Sequence, residues 1–141
     1  MWARKRRGRR GVVRKAWRKE GGFRIPKFLF VLHDPPYGTE RTYNGLRWAR
    51  EVLNDDRNEV KIFLFADAVI SAMAGQKTPE GFYNIAKMLR ALVNRGVIVG
   101  SCGTCLDARG VSEDMTAEGV HRSSMAELAE WTLWAEKIVS V

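Results

Sequence analysis

With 141 residues, 45% of them hydrophobic and 28% charged, the chain has the size and composition of one globular domain and is too apolar to belong to the disordered class. The apolar run Phe28 to Leu32 is far too short to cross a bilayer and no secretory leader is recognisable, so no membrane role is expected and the cytoplasm is the expected compartment. The net charge of +8 is concentrated in residues 1–24, where 11 Lys and Arg face the single acid Glu20, whereas residues 25–141 hold 13 against 15, which removes the nucleic-acid footprint from the folded part.

Met1 to Arg24 reads as a disordered basic tail with only scattered Trp2, Val12, Val13 and Trp17. It competes as an arm that binds RNA, DNA or an anionic surface through phosphate contacts and as translated leader from a misplaced start, since Lys19-Glu20-Gly21 can be encoded by a purine-rich string like a ribosome-binding site just upstream of the folded pattern. The second reading is preferred, and any nucleic-acid contact is expected through the tail alone. Residues 25–141 are expected to form a single domain.

Lys27 to Leu32 is a buried strand that leaves into the turn-rich loop His33-Asp34-Pro35-Pro36-Tyr37-Gly38. From Thr39 to Leu53 the residues Tyr43, Leu46, Trp48, Ala49 and Val52 recur at helical spacing, and Asn54-Asp55-Asp56 stops the run. Val60 to Phe65 repeats the buried-strand pattern, followed by a short helical stretch from Ala66 to Met73 that ends at Gly75. Phe82, Ile85, Ala86, Met88, Leu89, Leu92 and Val93 make an amphipathic helix closed by Asn94-Arg95-Gly96. Val97 to Gly100 is a third strand running into Ser101-Cys102-Gly103-Thr104-Cys105. The chain is then polar until Ser124, whose spacing to Glu127 predicts a capping box on a fourth helix reaching Ala135. Lys137 to Val141 alternates and predicts a last strand at the sheet edge.

Strands alternating with helices predict a small doubly wound α/β domain with a mostly parallel sheet and helices on both faces. Chemistry in such sheets gathers at the carboxyl ends of strands. Both the His33, Tyr37, Gly38 loop and the cysteine loop fall there, forming a candidate cleft.

Two cysteines two residues apart are a poor disulfide framework for a secreted scaffold but a usual redox pair or half a metal site. Cys102 follows a strand and sits near the start of a helical turn, where amide N–H groups stabilise a thiolate, in a turn expected to leave it exposed. Arg109 could add positive charge and Asp107 could oppose it. A thiolate so held can attack a persulfide, take its outer sulfur and pass it on, while Cys105 could resolve the product as a disulfide. Three readings compete: cysteines merely packed in a turn, a thioredoxin-like redox pair, and metal binding with His33 or with thiolates of a second chain. No metal site or cofactor is expected. His33 and His121 read as loop residues, the Pro36-Tyr37-Gly38-Thr39 turn lacks the glycines and lysine of a phosphate loop, and Trp131 with Trp134 mark a possible subunit interface.

On Pro36-Tyr37-Gly38-Thr39-Glu40, Asp67-Ala68-Val69, Gly75-Gln76-Lys77, Gly81 with Tyr83-Asn84-Ile85, and Cys102 through Cys105 to Asp107, Arg109 and Gly110, the chain resembles the DsrE/DsrF-like sulfur-relay family, most closely its YchN-like branch, over residues 25–141. The resemblance implies a doubly wound fold, trimer-based homo-oligomers that are often hexamers, and, for well-studied relatives, transfer of persulfide sulfur in tRNA thiolation or sulfur oxidation. It places Cys102 where those relatives carry the sulfur-accepting cysteine. The expected function is therefore a sulfur carrier or sulfurtransferase accessory protein, loaded on Cys102 within the loop Gly103, Thr104, Cys105, Asp107 and Arg109, with donor and acceptor proteins as partners. The alternative is a noncatalytic homo-oligomeric binding protein that uses the strand-end cleft for a small ligand or metal.

Overall fold

In the computed structural model, which describes residues 24–80 and 82–141, five strands form one sheet. They are β1 (Lys27–Leu32), β2 (Glu59–Leu64), β3 (Ile98–Cys102), β4 (Val120–Ser123) and β5 (Lys137–Ser140), in the spatial order β4-β3-β2-β1-β5. Every neighbouring pair is parallel, so the sheet is wholly parallel. The expectation for the basic segment concerns residues that, Arg24 apart, lie outside those described, and the same holds for Gly81.

The helices are α1 (Arg41–Val52), α2 (Ile85–Asn94), α3 (Gly103–Ala108) and α4 (Met125–Trp134), with a 3-10 segment over Ala66–Ala72. Both faces of the sheet are covered, and the register shows how. Phe30 pairs with Ile62, so Phe63, one residue further along β2, points to the opposite face. Phe30 meets Trp48 of α1 with ring centroids 5.9 Å apart, and Phe63 meets Trp131 of α4 at 6.1 Å. Burial on both sides is why β1 and β2 are continuous apolar runs: Leu29, Phe30, Leu32, Ile62, Phe63 and Leu64 are wholly enclosed.

Helix α2 buries the stripe Ile85, Leu89 and Leu92, and Asn84 caps it by accepting from the Lys87 amide at 3.1 Å. Its other end is closed by Gly96, whose φ of +92° suits a residue without a Cβ.

Two expectations need correction, and one strand left no sequence signal: within the polar stretch before Ser124, Val120–Ser123 is the edge strand β4, too short and too polar to show a period. The capping box is half formed. Ser124 Oγ accepts from the Glu127 amide at 3.2 Å, but the Glu127 carboxylate turns to Ser123 Oγ at 2.6 Å and to His121 Nε2 instead of back to Ser124. Trp131 does not mark an interface, because α4 carries the chain from one edge of the sheet to the other and seats Trp131 in the core.

Candidate functional site

Cys102 is both the last residue of β3 and the cap residue of α3. The strand delivers its sulfur to the carboxyl edge of the sheet, and the helix turns the amides of Thr104 and Cys105 toward it. Contrary to the expectation of an exposed thiol, Cys102 is only 2% exposed, while Cys105 is half-buried.

Cys102 Sγ lies 3.3 Å from Thr104 Oγ1. Burial, the largest single influence, pushes its thiol pKa up, but the Cys105 thiol, the Thr104 hydroxyl and the amides of Cys105 and Thr104 all favour the thiolate, and the net direction is down. Neither amide closes a full cap hydrogen bond to the sulfur; their positive ends act at slightly longer range. Cys105 moves the other way, raised first by burial and then by its thiol's bond to Cys102. The local hydrogen bonds thus favour the anion at Cys102 over that at Cys105.

The Ala66 amide donates to Cys105 Sγ at 3.3 Å. Ala66 has φ +48°, the only positive φ among the described non-glycine residues. A left-handed alanine costs about 1 kcal/mol, and here that conformation aims its N–H at the sulfur.

Two arginine–aspartate pairs flank the cysteines, arranged differently from the sequence expectation. Arg109 and Asp107 do not compete over Cys102. Arg109 reaches across to Asp67 Oδ1, with Nε at 2.9 Å and Nη2 at 2.7 Å, and donates from Nη1 to the Cys105 carbonyl at 3.0 Å. It favours the anion of Cys105, not of Cys102. Asp107 takes a two-pronged bond from Arg122, Nη1 to Oδ1 and Nη2 to Oδ2, both 2.7 Å.

Arg122 is the residue the sequence reading missed. A Cβ built on Gly103 would come 2.9 Å from Arg122 Cζ and Nε and 3.0 Å from Nη2. The guanidinium thus lies in space that only a glycine leaves, beside the residue that follows Cys102. The signal was faint, since Arg122 belongs to a strand of four residues with a single apolar member, Val120.

The remaining cleft residues are apart from the cysteines. Leu32 pairs with Leu64 and Leu64 with Ser101, so His33 stands two strands from Cys102, about 10 Å at ordinary strand spacing. His33 stacks on Phe65 at 5.8 Å and bonds Ser140 Oγ at 2.9 Å. Tyr37 donates to Gln76 Oε1 at 2.7 Å and accepts from the Ile85 amide at 3.2 Å, tying the loop before α2 to the loop after β1. Gly38, with φ +100° and open space around its Cα, serves the turn. A cavity of about 460 Å³ lies between α1 and α2, lined by Leu46, Arg50, Tyr83, Lys87, Met88 and Ala91. Among the described residues no group of three or more His, Cys, Asp or Glu side chains is placed to hold a metal ion, and no helix is long and apolar enough to cross a membrane.

Comparison with known proteins accords with this geometry. The chain is 40% identical over 117 residues to Protein YchN of Escherichia coli, covering 82% of this chain and 99% of that one. The crystal structure of the E. coli ychN protein superposes with a TM-score of 0.79 at 38% identity, covering 83% of this chain and all of the other (100%). A more distant relative, Sulfurtransferase TusD of Salmonella arizonae, is 21% identical over 125 residues, covering 80% of this chain and 98% of that one. A family model for the DsrE/DsrF-like family matches residues 26–141, and the chain belongs to that family.

Proposed function

We propose that this protein is a sulfur carrier or sulfurtransferase accessory protein that accepts sulfane sulfur on Cys102. The observation that carries the reading is geometric: Cys102 ends β3 and caps α3 at the carboxyl edge of the sheet, with Thr104 Oγ1 3.3 Å from its sulfur and a second free thiol, Cys105, one turn on, in a fold with a distant sulfurtransferase relative. The Cys102 thiolate attacks the outer sulfur of a donor persulfide, the donor's inner sulfur leaves as a thiolate, and Cys102 carries the persulfide. Delivery follows when an acceptor thiolate takes the outer sulfur. Alternatively, Cys105 attacks the inner sulfur and expels the outer one as hydrosulfide, leaving a Cys102–Cys105 disulfide.

The partners are donor and acceptor proteins and further copies of this chain. Helix α4 supports the last point, since it is apolar around most of its circumference yet leaves Met125 61% and Leu133 88% exposed. A trimer-based assembly, up to a hexamer, is the form we assign, and light scattering on the purified chain tests it. Two free thiols fit a reducing compartment such as the cytoplasm. Nucleic acid is assigned to the basic segment alone.

The test is intact-mass spectrometry of the wild type and Cys102→Ser after exposure to a cysteine desulfurase and cysteine, without reductant. A gain of one sulfur atom that disappears in the variant is the expected result. No gain, under conditions that load a known carrier, rejects the reading. The α1–α2 cavity favours a second reading, a noncatalytic binding protein for a small ligand. Under that reading, ligand-induced thermal stabilisation is kept in Cys102→Ser and lost in Ala91→Trp, which fills the groove.

A further inference from the structure

We propose that Arg122 is the anion-receiving group of the cysteine site: it exchanges Asp107 for the negative charge that a donor brings to Cys102, so that the site favours donors whose reactive end is anionic. This rests on the reading of Cys102 as the sulfur acceptor, which it deepens.

The chemistry creates the need. When a thiolate attacks an ionised persulfide, Cys102–S⁻ + R–S–S⁻ becomes Cys102–S–S⁻ + R–S⁻. One sulfur–sulfur bond forms and one breaks, no external oxidant enters, and two negative charges are held close together from start to finish. Without a cation this encounter is repulsive. The fold puts one beside it, because β4 lies next to β3, with Ser101 opposite Arg122 and Cys102 opposite Ser123. Gly103 then leaves the space in which the guanidinium lies, 2.9 Å from where a Cβ would stand.

The other nearby cation is committed elsewhere, as Arg109 is bonded to Asp67 and the Cys105 carbonyl. Among the described residues, the side-chain bonds of Arg122 go to Asp107, through a pair whose side chains are 39% and 62% exposed. Exposed pairs of this kind contribute little net stability, so another anion can replace Asp107 at small cost. The fork that grips a carboxylate in two prongs presents the same donors to a sulfur anion. The field of Cys102 is felt at the guanidinium, which is raised above its ordinary pKa first by its bond to Asp107 and in smaller part by Glu113 and Cys102.

The experiment compares two alkylating probes on the Cys102 thiol in a Cys105→Ser background, one neutral (iodoacetamide) and one anionic (iodoacetate), at a series of pH values. The ratio of the two rates cancels the thiolate fraction and reports the charge at the site. Arg122→Gln is expected to lower the iodoacetate-to-iodoacetamide ratio about fivefold, the scale of one unit charge at a half-exposed site. Arg122→Lys restores part of it. Asp107→Asn is expected to raise the ratio, which keeps the proposal testable should Arg122→Gln fold poorly. An unchanged ratio in Arg122→Gln, or a fall in Asp107→Asn, overturns the proposal. Sulfur loading is scored separately by mass: charge selectivity that tracks Arg122 without any loading on Cys102 sinks the carrier reading but not the anion site.

Discussion

The same substitution three residues apart, Gly100→Ala and Gly103→Ala, is expected to change stability in opposite directions. At Gly100 a new Cβ would stand 3.0 Å from both Ser123 Cβ and Trp131 Cη2. Neither neighbour can give. Ser123 is fixed in the β4 ladder beside Cys102, and Trp131 is buried between Phe63 and His121, with centroids at 6.1 and 5.9 Å. Overpacking of this kind costs about 1–3 kcal/mol, against about 0.5–1 kcal/mol returned by replacing a glycine inside a strand. The net loss is about 1–2 kcal/mol, several degrees of melting temperature in a domain of this size. At Gly103 the approach is closer, 2.9 Å, yet the atoms met are the end of the flexible Arg122 side chain, 39% exposed. The guanidinium swings away, Gly103 has no positive φ to strain an alanine, and a first-turn helical residue gains up to about 1 kcal/mol.

Gly103→Ala should therefore melt at or above the wild-type temperature while its iodoacetate-to-iodoacetamide ratio at Cys102 falls as in Arg122→Gln. Thermal unfolding monitored by circular dichroism, with alkylation rates on the same samples, provides both readouts. A Gly103→Ala protein destabilised as much as Gly100→Ala would refute the reasoning, because it would mean that the guanidinium is locked in place and cannot be exchanged.

Thr104→Val removes the hydroxyl from Cys102 Sγ. It should raise the midpoint of the alkylation-against-pH curve while costing no more than about 0.5 kcal/mol of stability; an unmoved midpoint contradicts the hydroxyl's part in holding the thiolate. Asn84→Ala loses the cap of α2 and the bond from Asn84 Nδ2 to the Gln76 carbonyl at 2.9 Å, so chemical denaturation should show a loss of about 1–2 kcal/mol. Glu127 is pushed up by burial but held below its ordinary 4.5 by Ser123, His121 and Lys61. A depressed carboxylate stabilises the fold above its unfolded value and loses that contribution as pH falls through the folded one. The acid limb of a stability-against-pH curve should thus flatten below about pH 4.5 in Glu127→Gln, and an identical limb in both proteins would assign acid sensitivity elsewhere.

The order of the main elements was legible because buried strands and amphipathic helices leave strong patterns: Phe28 to Leu32 has no polar member, and α2 repeats its apolar residues at three and four. What could not be read was pairing. Asp67 and Arg109 are 42 residues apart and Asp107 and Arg122 are 15 apart, and which arginine meets which aspartate depends on the strand order, with β4 beside β3 and the Ala66–Ala72 segment packed against α3. Without that order Arg109 and Asp107, both downstream of Cys105, looked like rivals for one sulfur. The burial of Cys102 was equally hidden, since a glycine after a cysteine suggests an open turn, whereas here it makes room for a guanidinium.

Each arginine beside the cysteine pair has its own aspartate, Arg109 with Asp67 and Arg122 with Asp107. A single cation shared between Cys102 and Cys105 would lower both thiols together and leave the pair without a preferred nucleophile. Arg109 acts on the Cys105 side, and what favours the Cys102 anion is local: the Thr104 hydroxyl, placed on the Cys102 side only, the Cys105 thiol and the two amides that open α3. The strained Ala66 amide and Arg109 favour the anion of Cys105, but they do not outweigh its burial and its role as donor to Cys102. On the proposed carrier reading they would count once Cys102 carries sulfur and no longer needs that donor, which makes the Cys105 proton easier to lose after loading. Acceptance then comes first and resolution second, and a Cys105→Ser protein should still load one sulfur atom on Cys102 by intact mass but release no hydrosulfide from it.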